Sequence, residues 1–386
     1  MPDEPVPDEP SPASYPWPAQ SATGVGSMPG TDPLETMRLI FGEVPGLPFL
    51  AELPGRGPGA DVTGRTAALL VELPAETTSR GWRLAGRPGR DLRRAQSMLA
   101  QDLDALEEVA DGYPGVLKIS ACGPWTLAAT LELNRSQEPA LADRGAVSDL
   151  TASLAEGLAR YVADVAARVP GARVLLQLDE PALPAVLAGT VPSASGLNRV
   201  RAVEEPDARA GLRAVLAAAQ VPGLVHCCAM SAPVDMIRNA GAAAAGIDLG
   251  QLRRGEEDVL AAAVEAGLGI FAGAVPAMPP PAGARAAAPG AGNGQGPAEA
   301  AERPAGHLPT AAGAASRVAE LWRRMGWPAA RRPGGTSGVA ESVAAQVVIT
   351  PGCGLAGAPP GYARGALARC REAARMLPEL IEEEAR

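Results

Sequence analysis

Short apolar segments alternate along this chain with longer stretches of helical periodicity. Runs of apolar and β-branched residues between turn residues indicate strands that are buried on both faces of a parallel sheet. The segments that predict strands lie at residues 22–27, 48–54, 115–121, 173–178, 223–228, 243–248, 268–273 and 346–350. The helical periodicity between and after them is longest over residues 91–110, 149–169 and 363–384.

Eight strand–helix units in about 360 residues predict an α/β fold of the (β/α)₈ TIM-barrel type. A doubly wound open sheet is the alternative architecture. We expect one barrel over residues 21–386. Seven prolines among residues 1–20 predict a disordered Pro-rich tail, because proline supports neither a helix interior nor a strand ladder. The Ala-, Pro- and Gly-rich residues of about 278–308 predict a flexible insertion on one loop.

Composition narrows the class of protein without identifying its chemistry. Hydrophobic residues make up 47% of the 386 residues, which is enough for a large core. The net charge of −9 and the lack of a long basic run disfavour nucleic acid and anionic membranes as partners. The sequence has no unbroken apolar run of about 18 residues, so no membrane span is predicted. Since the acidic residues 1–10 lack the features of a signal peptide, we expect a cytoplasmic protein.

The densest candidate chemistry is a histidine followed by two thiols at the end of the fifth predicted strand. His226, Cys227 and Cys228 combine one of the two histidines with two of the five cysteines. Because residues i and i+2 of a strand point the same way, His226 and Cys228 face one side and Cys227 faces the other. An imidazole with a soft thiolate suits zinc. The alternative interpretation is a buried cysteine that acts as a small hydrophobe.

Other polar residues also stand where the predicted strands end. The full set is Ser27, Glu52, Asp179 with Glu180, His226 with Cys228, Asp248, and Cys353. Taken singly, such residues can be turn residues, helix caps or packing residues. In a barrel, however, the carboxyl ends of all strands converge on the face that carries active sites, so this coincidence at six strands favours a functional site. Cys122 and Cys370 have no such neighbours and are interpreted as structural.

Five short motifs carry a resemblance to a known family. They are Val25-Gly26-Ser27-Met28-Pro29, Gly123-Pro124-Trp125-Thr126-Leu127, Asp179-Glu180-Pro181-Ala182-Leu183, His226-Cys227-Cys228 and Pro351-Gly352-Cys353-Gly354-Leu355. In this order, over roughly residues 22–383, the chain resembles the C-terminal catalytic barrel of cobalamin-independent methionine synthase. The second motif is similar to the Gly-Pro-x-Thr stretch of that family.

The resemblance implies a zinc-dependent S-methyltransferase that transfers a methyl group to the thiol of homocysteine and makes methionine. It implies that zinc is held by His226, Cys228, Asp248 and Cys353. It also implies that Ser27 and Asp179 hold the amino acid end of homocysteine, with Glu52 as a second carboxylate for the ammonium group. Zinc bound to the thiol of homocysteine would favour the thiolate that accepts the methyl group. Glu180 is interpreted as structural.

Two departures from the family pattern affect the fourth zinc ligand and the methyl donor. Where the zinc carboxylate of the family is usually Glu, the matching residue is the shorter Asp248. Where the seventh strand of the family usually ends in Asp-x-His, a candidate proton relay, this chain has Gly273-Ala274-Val275. The donor therefore stays open between methyltetrahydrofolate and a methylcorrinoid protein.

Other functions also stay open at this point. One is a methyltransferase that acts on another thiol, and another is a non-catalytic zinc- or thiol-binding barrel. A decarboxylase of the related porphyrin-binding barrel family is disfavoured, because it needs no thiolate cluster.

Overall fold

Six parallel strands form the central sheet of the protein. The computed structural model describes residues 15–279, 308–326 and 337–384. Within these ranges the strands, in chain order, are β1 (Ala75–Thr78), β2 (Gly81–Leu84), β3 (Val116–Cys122), β4 (Arg173–Asp179), β5 (Gly223–Cys227), β6 (Ala244–Asp248), β7 (Gly269–Val275) and β8 (Val347–Pro351). Strands β3 to β8 lie side by side in sequence order and every neighbouring pair is parallel. Strands β1 and β2 form a separate antiparallel hairpin.

Helices lie between successive strands of the sheet, as parallel strands require, and further helices precede β3 and follow β8. They are α1 (Pro33–Glu43), α2 (Val62–Leu69), α3 (Arg90–Val109), α4 (Pro124–Thr130), α5 (Arg144–Arg168), α6 (Leu183–Ala188), α7 (Glu205–Ala219), α8 (Val234–Asn239), α9 (Glu257–Glu265), α10 (Ala311–Arg324), α11 (Ser337–Gln346) and α12 (Pro360–Glu384). The side chain of Asp32 caps the start of helix α1, and Pro33 stands at its first position. Among the helices of the described ranges, we find none with the length and apolar character that a membrane crossing requires.

Two short extended segments, residues 21–28 and 48–52, lie along the two edges of the sheet. Two isolated parallel bridges join these segments to the sheet, Ala22 with Ile349 of β8 and Phe49 with Lys118 of β3. A third bridge, Ser27 with Glu52, joins the two segments to each other. The pairing is short because glycine and proline interrupt these segments. Gly24 also admits the ring of Phe49, which would lie 2.4 Å from a Cβ atom at that position. The predicted α/β class is therefore confirmed with six regular parallel strands, while the first two predicted strands occur as isolated bridges.

The inner face of the sheet changes from apolar to polar along the strands. Its amino-terminal layer consists of Val116, Leu175, Leu224, Ala244, Phe271 and Val348, closed by Trp17 and Leu47. Because side chains alternate with a period of two, the next residues on the same face of β3, β4 and β5 are polar. They are Lys118 and Ser120 on β3, Gln177 and Asp179 on β4, and His226 and then Cys228 at the end of β5. The alternation therefore carries the polar side chains to the carboxyl ends of the strands.

Trp17 shows that part of the predicted tail is ordered. Its side chain is only 4% exposed and packs edge-on against Phe271, with ring centroids 5.0 Å apart. Its indole nitrogen donates a hydrogen bond to the carbonyl oxygen of Ala345 (3.0 Å). The prediction of disorder over residues 1–20 therefore does not hold for residues 15–20, because an aromatic ring among the prolines covers the apolar layer. Residues 1–14, and residues 280–307 of the predicted insertion, lie outside the described ranges.

We expect Trp17→Ala to lower the free energy of unfolding by about 3–5 kcal/mol, because it leaves a cavity under the sheet. Urea-induced unfolding of the full chain, followed by circular dichroism, measures the change. Leu197→Ala is the control, since Leu197 is 89% exposed and its truncation should change stability by no more than about 0.5 kcal/mol. Equal stability of the two variants would contradict the packing of Trp17.

Candidate functional site

Two thiols meet at the carboxyl ends of β5 and β8. The Sγ atoms of Cys228 and Cys353 lie 3.3 Å apart, although the residues are 125 positions apart in sequence. The loop that carries Cys353 enters closely because glycines flank it. A Cβ atom at Gly352 would lie 2.8 Å from the Asp248 carboxyl carbon, and one at Gly354 would lie 2.1 Å from Ser27 Oγ. Gly352 and Gly354 therefore allow this loop to approach the site closely.

The thiol pair loses one proton easily and retains the other, because the two cysteines have very different pKa values. The hydrogen bond from Cys228 lowers the pKa of Cys353 to about 6, against the effect of burial and with help from nearby His226. The same hydrogen bond, followed by burial, raises the pKa of Cys228. One thiolate is therefore accessible near neutral pH, and a thiolate is both the nucleophile and the metal ligand in cysteine chemistry.

The other cysteines behave as buried apolar residues. Burial raises the pKa of Cys227 to about 12, and it also raises the pKa values of Cys122 and Cys370. All three side chains are buried and make no thiol pair within the described ranges. These properties agree with the structural interpretation of Cys122 and Cys370, and with an outward direction for Cys227.

Asp179 and His226 form a buried hydrogen-bonded pair beside the thiols. The Nδ1 atom of His226 lies 2.9 Å from Asp179 Oδ1, and Gln177 Nε2 donates to the same oxygen at 2.8 Å. The other ring nitrogen, His226 Nε2, is buried and has no hydrogen-bond partner in the described part of the chain. Burial lowers the pKa of His226, but the hydrogen bond to Asp179 and the negative charges of Asp179 and Cys353 together outweigh burial, and the net pKa is raised. A proton and a metal ion therefore compete for Nε2.

Glu52 and Ser27 lie side by side, where the two extended segments bridge each other. Ser120 donates a hydrogen bond to Glu52 Oε1 (3.0 Å). Burial raises the pKa of Glu52 to about 7; Arg65 opposes this rise and Asp179 adds to it. Ser27 bridges to Glu52 through its backbone, and its carbonyl oxygen accepts a hydrogen bond from Leu355, two residues after Cys353. The structure thus brings the three residues expected to bind substrate to the neighbourhood of the thiol pair.

Asp248 stands at the end of β6, next to the Cys353 loop. Its Oδ1 atom accepts a hydrogen bond from the backbone of Gly250 (2.8 Å), and its carboxyl group packs against Gly352. Glu180, by contrast, accepts hydrogen bonds from the backbone nitrogens of Trp125 (2.9 Å) and Thr126 (2.7 Å) at the start of α4. Burial raises the pKa of Glu180 to about 7. Its contacts agree with the structural interpretation.

The side chains of this site are of the types that bind zinc, although the two thiols are hydrogen-bonded to each other. Within residues 15–279, 308–326 and 337–384, no group of three or more His, Cys, Asp or Glu side chains is placed to hold a metal ion. Two adjoining thiols and an imidazole fixed by a carboxylate, with its second nitrogen unpartnered, are nevertheless typical zinc donors. Two thiolates on one tetrahedral zinc stand about 3.8 Å apart. The 3.3 Å pair would have to open by about half an ångström to accept the ion.

Sequence reasoning missed two residues that support the site, Lys118 and Gln177. Lys118 Nζ donates to Gln177 Oε1 (2.8 Å), and Gln177 Nε2 donates to Asp179. Both residues stand on the same face of their strands as the site residues and lie one layer deeper. The available signal was a polar residue at alternate positions of two apolar strands, which the period of two places on the inner face.

Two solved structures are similar to this chain. A B12-independent methionine synthase from Shewanella sp. W3-18-1, in complex with selenomethionine, aligns with a TM-score of 0.54 at 10% identity, covering 94% of this chain and 98% of that chain. A methyltransferase from Methanosarcina mazei aligns with a TM-score of 0.49 at 13% identity, covering 95% and 94% respectively. The first alignment shows a shared fold. No family model matches the chain, and no curated protein sequence matches it.

We expect the stability of Glu52→Gln relative to the wild type to increase as the pH rises from 5 to 8. The folded-state pKa of Glu52, about 7, lies above its ordinary value of 4.5. Folded protein therefore binds this proton more tightly than unfolded protein, and the wild type loses stability as pH rises through that window. Glutamine removes this loss. Thermal midpoints at both pH values measure it, with the exposed Glu265→Gln as control. A difference in thermal midpoint between Glu52→Gln and the wild type that does not change with pH would contradict the raised pKa of Glu52.

Proposed function

We propose that this chain is a zinc-dependent methyltransferase that transfers a methyl group to the thiol of homocysteine to make methionine. The observation that supports this most is the Cys228–Cys353 pair, whose sulfurs lie 3.3 Å apart beside the Asp179–His226 pair. Thiolates on adjacent loops with an oriented imidazole form a donor set for zinc. A thiol substrate is the ligand that such an ion activates for methyl transfer.

The fold part of the proposal is a closed (β/α)₈ barrel over residues 21–386. Its support is that residues 21–28 bridge β8, residues 48–52 bridge β3, and the two segments bridge each other. Counted as strands, they complete a ring of eight and surround one opening at the carboxyl ends. In barrels of this kind, active sites lie at that opening.

His226, Cys228 and Cys353 would hold the zinc, with Asp248 as the fourth ligand. Bound zinc lowers the pKa of a coordinated thiol, which supplies the thiolate for methyl transfer. Asp179 keeps the His226 ring oriented through the hydrogen bond at Nδ1. Asp248 has a shorter side chain than glutamate, and its carboxyl group packs against Gly352, the neighbour of Cys353.

The amino acid end of homocysteine would bind Ser27, Glu52 and Asp179. A carboxylate pairs well with an ammonium group in a buried site. Burial raises the pKa of Glu52 most, and repulsion from Asp179 adds to the rise, so a cation between the two carboxylates would relieve that repulsion. Because Asp179 Oδ1 already accepts two hydrogen bonds, its other oxygen is the one available for substrate. Support also comes from the methionine synthase of the same fold, which is in complex with selenomethionine.

The methyl donor is methyltetrahydrofolate or a methylcorrinoid protein. Departure of folate is helped by a proton donor, and general acid help is typically worth about 10²–10⁴-fold. Strand β7 ends in Gly273-Ala274-Val275, which provides no such group. A corrinoid leaves without needing this proton, which favours it as the donor here. A non-catalytic zinc- or thiol-binding barrel and methyl transfer to another thiol are the outcomes that tests must separate.

Zinc content tests the metal part of the proposal. Protein purified under reducing, zinc-replete conditions should contain about one zinc per chain by elemental analysis. Cys228→Ala and Cys353→Ala should each lose most of it, because each removes a thiolate. Cys122→Ala is the matched control, since Cys122 is a buried thiol outside the cluster. Zinc-free wild type, or an equal loss in the control, would contradict the metal assignment.

Homocysteine binding tests the substrate part. Calorimetric titration in two buffers of different ionisation enthalpy should show proton release near neutral pH. Glu52→Gln should weaken binding at least about tenfold through a lost charge-assisted contact, while zinc stays bound. Asp179→Asn should weaken both homocysteine and zinc, because Asp179 also holds His226. Wild-type homocysteine affinity in Glu52→Gln would show that the amino acid end binds elsewhere.

A panel of methyl donors tests the reaction. With homocysteine as acceptor, methylcobalamin should support faster methionine formation than monoglutamyl methyltetrahydrofolate, because β7 ends without an acid. Rapid turnover from the folate would overturn the argument from the missing acid. Bound zinc and homocysteine without transfer from any donor would favour a non-catalytic barrel. Transfer only to a different thiol would replace the acceptor.

A further inference from the structure

Lys118 is a fully buried lysine on β3, an edge strand of the sheet, and lies one layer below the site. Its side chain is 0% exposed and lies 5.3 Å from the centre of the Phe49 ring. Its Nζ atom donates hydrogen bonds to the carbonyl oxygen of Val25 (2.7 Å) and to Gln177 Oε1 (2.8 Å). Burying an ammonium group is costly unless it is paired and hydrogen-bonded, so its presence under the site calls for a role.

The hydrogen bonds of Lys118 fix the orientation of the Gln177 amide. A lysine ammonium can only donate, so the atom that faces it must be the amide oxygen. The amide nitrogen then donates to the carbonyl oxygen of Val25 (2.8 Å) and to Asp179 Oδ1 (2.8 Å). A reversed amide would place its oxygen against two acceptors and its N–H groups against the ammonium. Lys118 therefore dictates that Gln177 presents an N–H to Asp179.

Asp179 fixes the position of the proton on His226 by the same kind of argument. Asp179 Oδ1 already accepts a hydrogen bond from Gln177, so this oxygen acts as an acceptor toward His226 Nδ1 as well (2.9 Å). The ring must then carry a proton on Nδ1. In the neutral imidazole, the other nitrogen, Nε2, is unprotonated and keeps its lone pair. This is the buried ring nitrogen without a partner in the described ranges.

We propose that Lys118 and Gln177 are positioning residues that hold His226 in the tautomer protonated at Nδ1, and thereby keep Nε2 unprotonated with its lone pair available. The relay runs in one direction from an obligate donor, Lys118, through an amide and a carboxylate to the ring. Each member has its donor and acceptor atoms assigned by the preceding one. The inference goes beyond the proposed function, because the tautomer is a property of the protein alone.

Nitrogen NMR of the ring tests the tautomer directly. Full-length protein labelled with ¹⁵N-histidine and carrying His307→Gln reports His226 alone, since the sequence has two histidines. In metal-free protein, at a pH where the ring is neutral and Lys118 is still an ammonium group, Nδ1 should show the shift of a protonated nitrogen and Nε2 that of an unprotonated one. The reverse assignment in this protein would overturn the proposal without any further variant.

Variants of the relay test whether Lys118 and Gln177 are responsible. Gln177→Leu should replace the single tautomer with a mixture, and Lys118→Met should do the same by releasing the amide. The double variant removes the buried charge and the amide together, so it keeps the test available if a single variant does not fold. A single Nδ1-protonated tautomer in the double variant would show that Asp179 needs no relay, and the proposal would fail.

Gln346→Leu is the matched control for loss of a buried amide. Gln346 Nε2 donates to the carbonyl oxygens of Val264 (2.8 Å) and Leu268 (2.9 Å), outside the relay. The control should leave the His226 signals unchanged, and a mixture of tautomers there would indicate a general loss of packing and overturn the relay.

Zinc affinity is a second readout, and it alone rests on the proposed function. Gln177→Leu should weaken zinc binding by about 10–100-fold, which is typical for the loss of a residue that orients a ligand. A changed tautomer with unchanged zinc affinity would support the relay and count against the zinc site. An unchanged tautomer would count against the relay itself.

Discussion

The register between β4 and β5 is the constraint on which the site depends. Asp179 and His226 are direct cross-strand partners in the parallel ladder, and their side chains lie on the same face. The hydrogen bond between them follows from that pairing. A slip of one residue would turn His226 to the opposite face and break the pair. The apolar layer around Trp17 and Phe271 stabilises this register, because it too requires every second residue to face inward.

The polar interior of the sheet has an energetic cost that the fold offsets by pairing. Lys118 lies within electrostatic reach of Asp179 and Glu52, and its hydrogen bonds leave its ammonium group well satisfied. On the helical side, Arg65 of α2 and Arg56 both contact the buried carboxylate of Asp102. Removing one member of a buried charge pair typically costs about 3–5 kcal/mol. The charged groups near the site are therefore coupled, and the pKa of Glu52 depends on several of them.

Patterns of period two and of helical period were sufficient to predict the six sheet strands and most helices. They were insufficient where local signals conflict. Residues 22–27 were predicted as a strand, yet Gly24 and Gly26 reduce it to isolated bridges because they admit neighbouring side chains closely. The hairpin of β1 and β2 was missed because its strands are only four residues long and β1 is largely polar. Trp17 was missed because the prolines around it dominated the composition.

Most residues of the candidate site could be predicted from the sequence, but the hydrogen bonds between them could not. The ends of the strands and the motifs around Cys228 and Cys353 led to the two thiols that the structure brings together. The hydrogen bond between Asp179 and His226 was not foreseen, because cross-strand register cannot be read from a single strand. The alternation of their own strands places Lys118 and Gln177 on the inner face, but their hydrogen bonds depend on the same register. The consequence is chemical: Asp179 has both an orienting role toward His226 and a proposed role toward substrate.

In the proposed function, Cys228, Cys353 and His226 bind one metal ion to which the sulfur of homocysteine adds. Zinc-edge X-ray absorption of the full chain, recorded with and without homocysteine, tests it most directly. The account predicts about two sulfur neighbours per zinc in the free protein and about three when homocysteine is bound, at the usual distance of about 2.3 Å. A sulfur count that does not change with homocysteine, or a zinc surrounded only by oxygen and nitrogen, would contradict it.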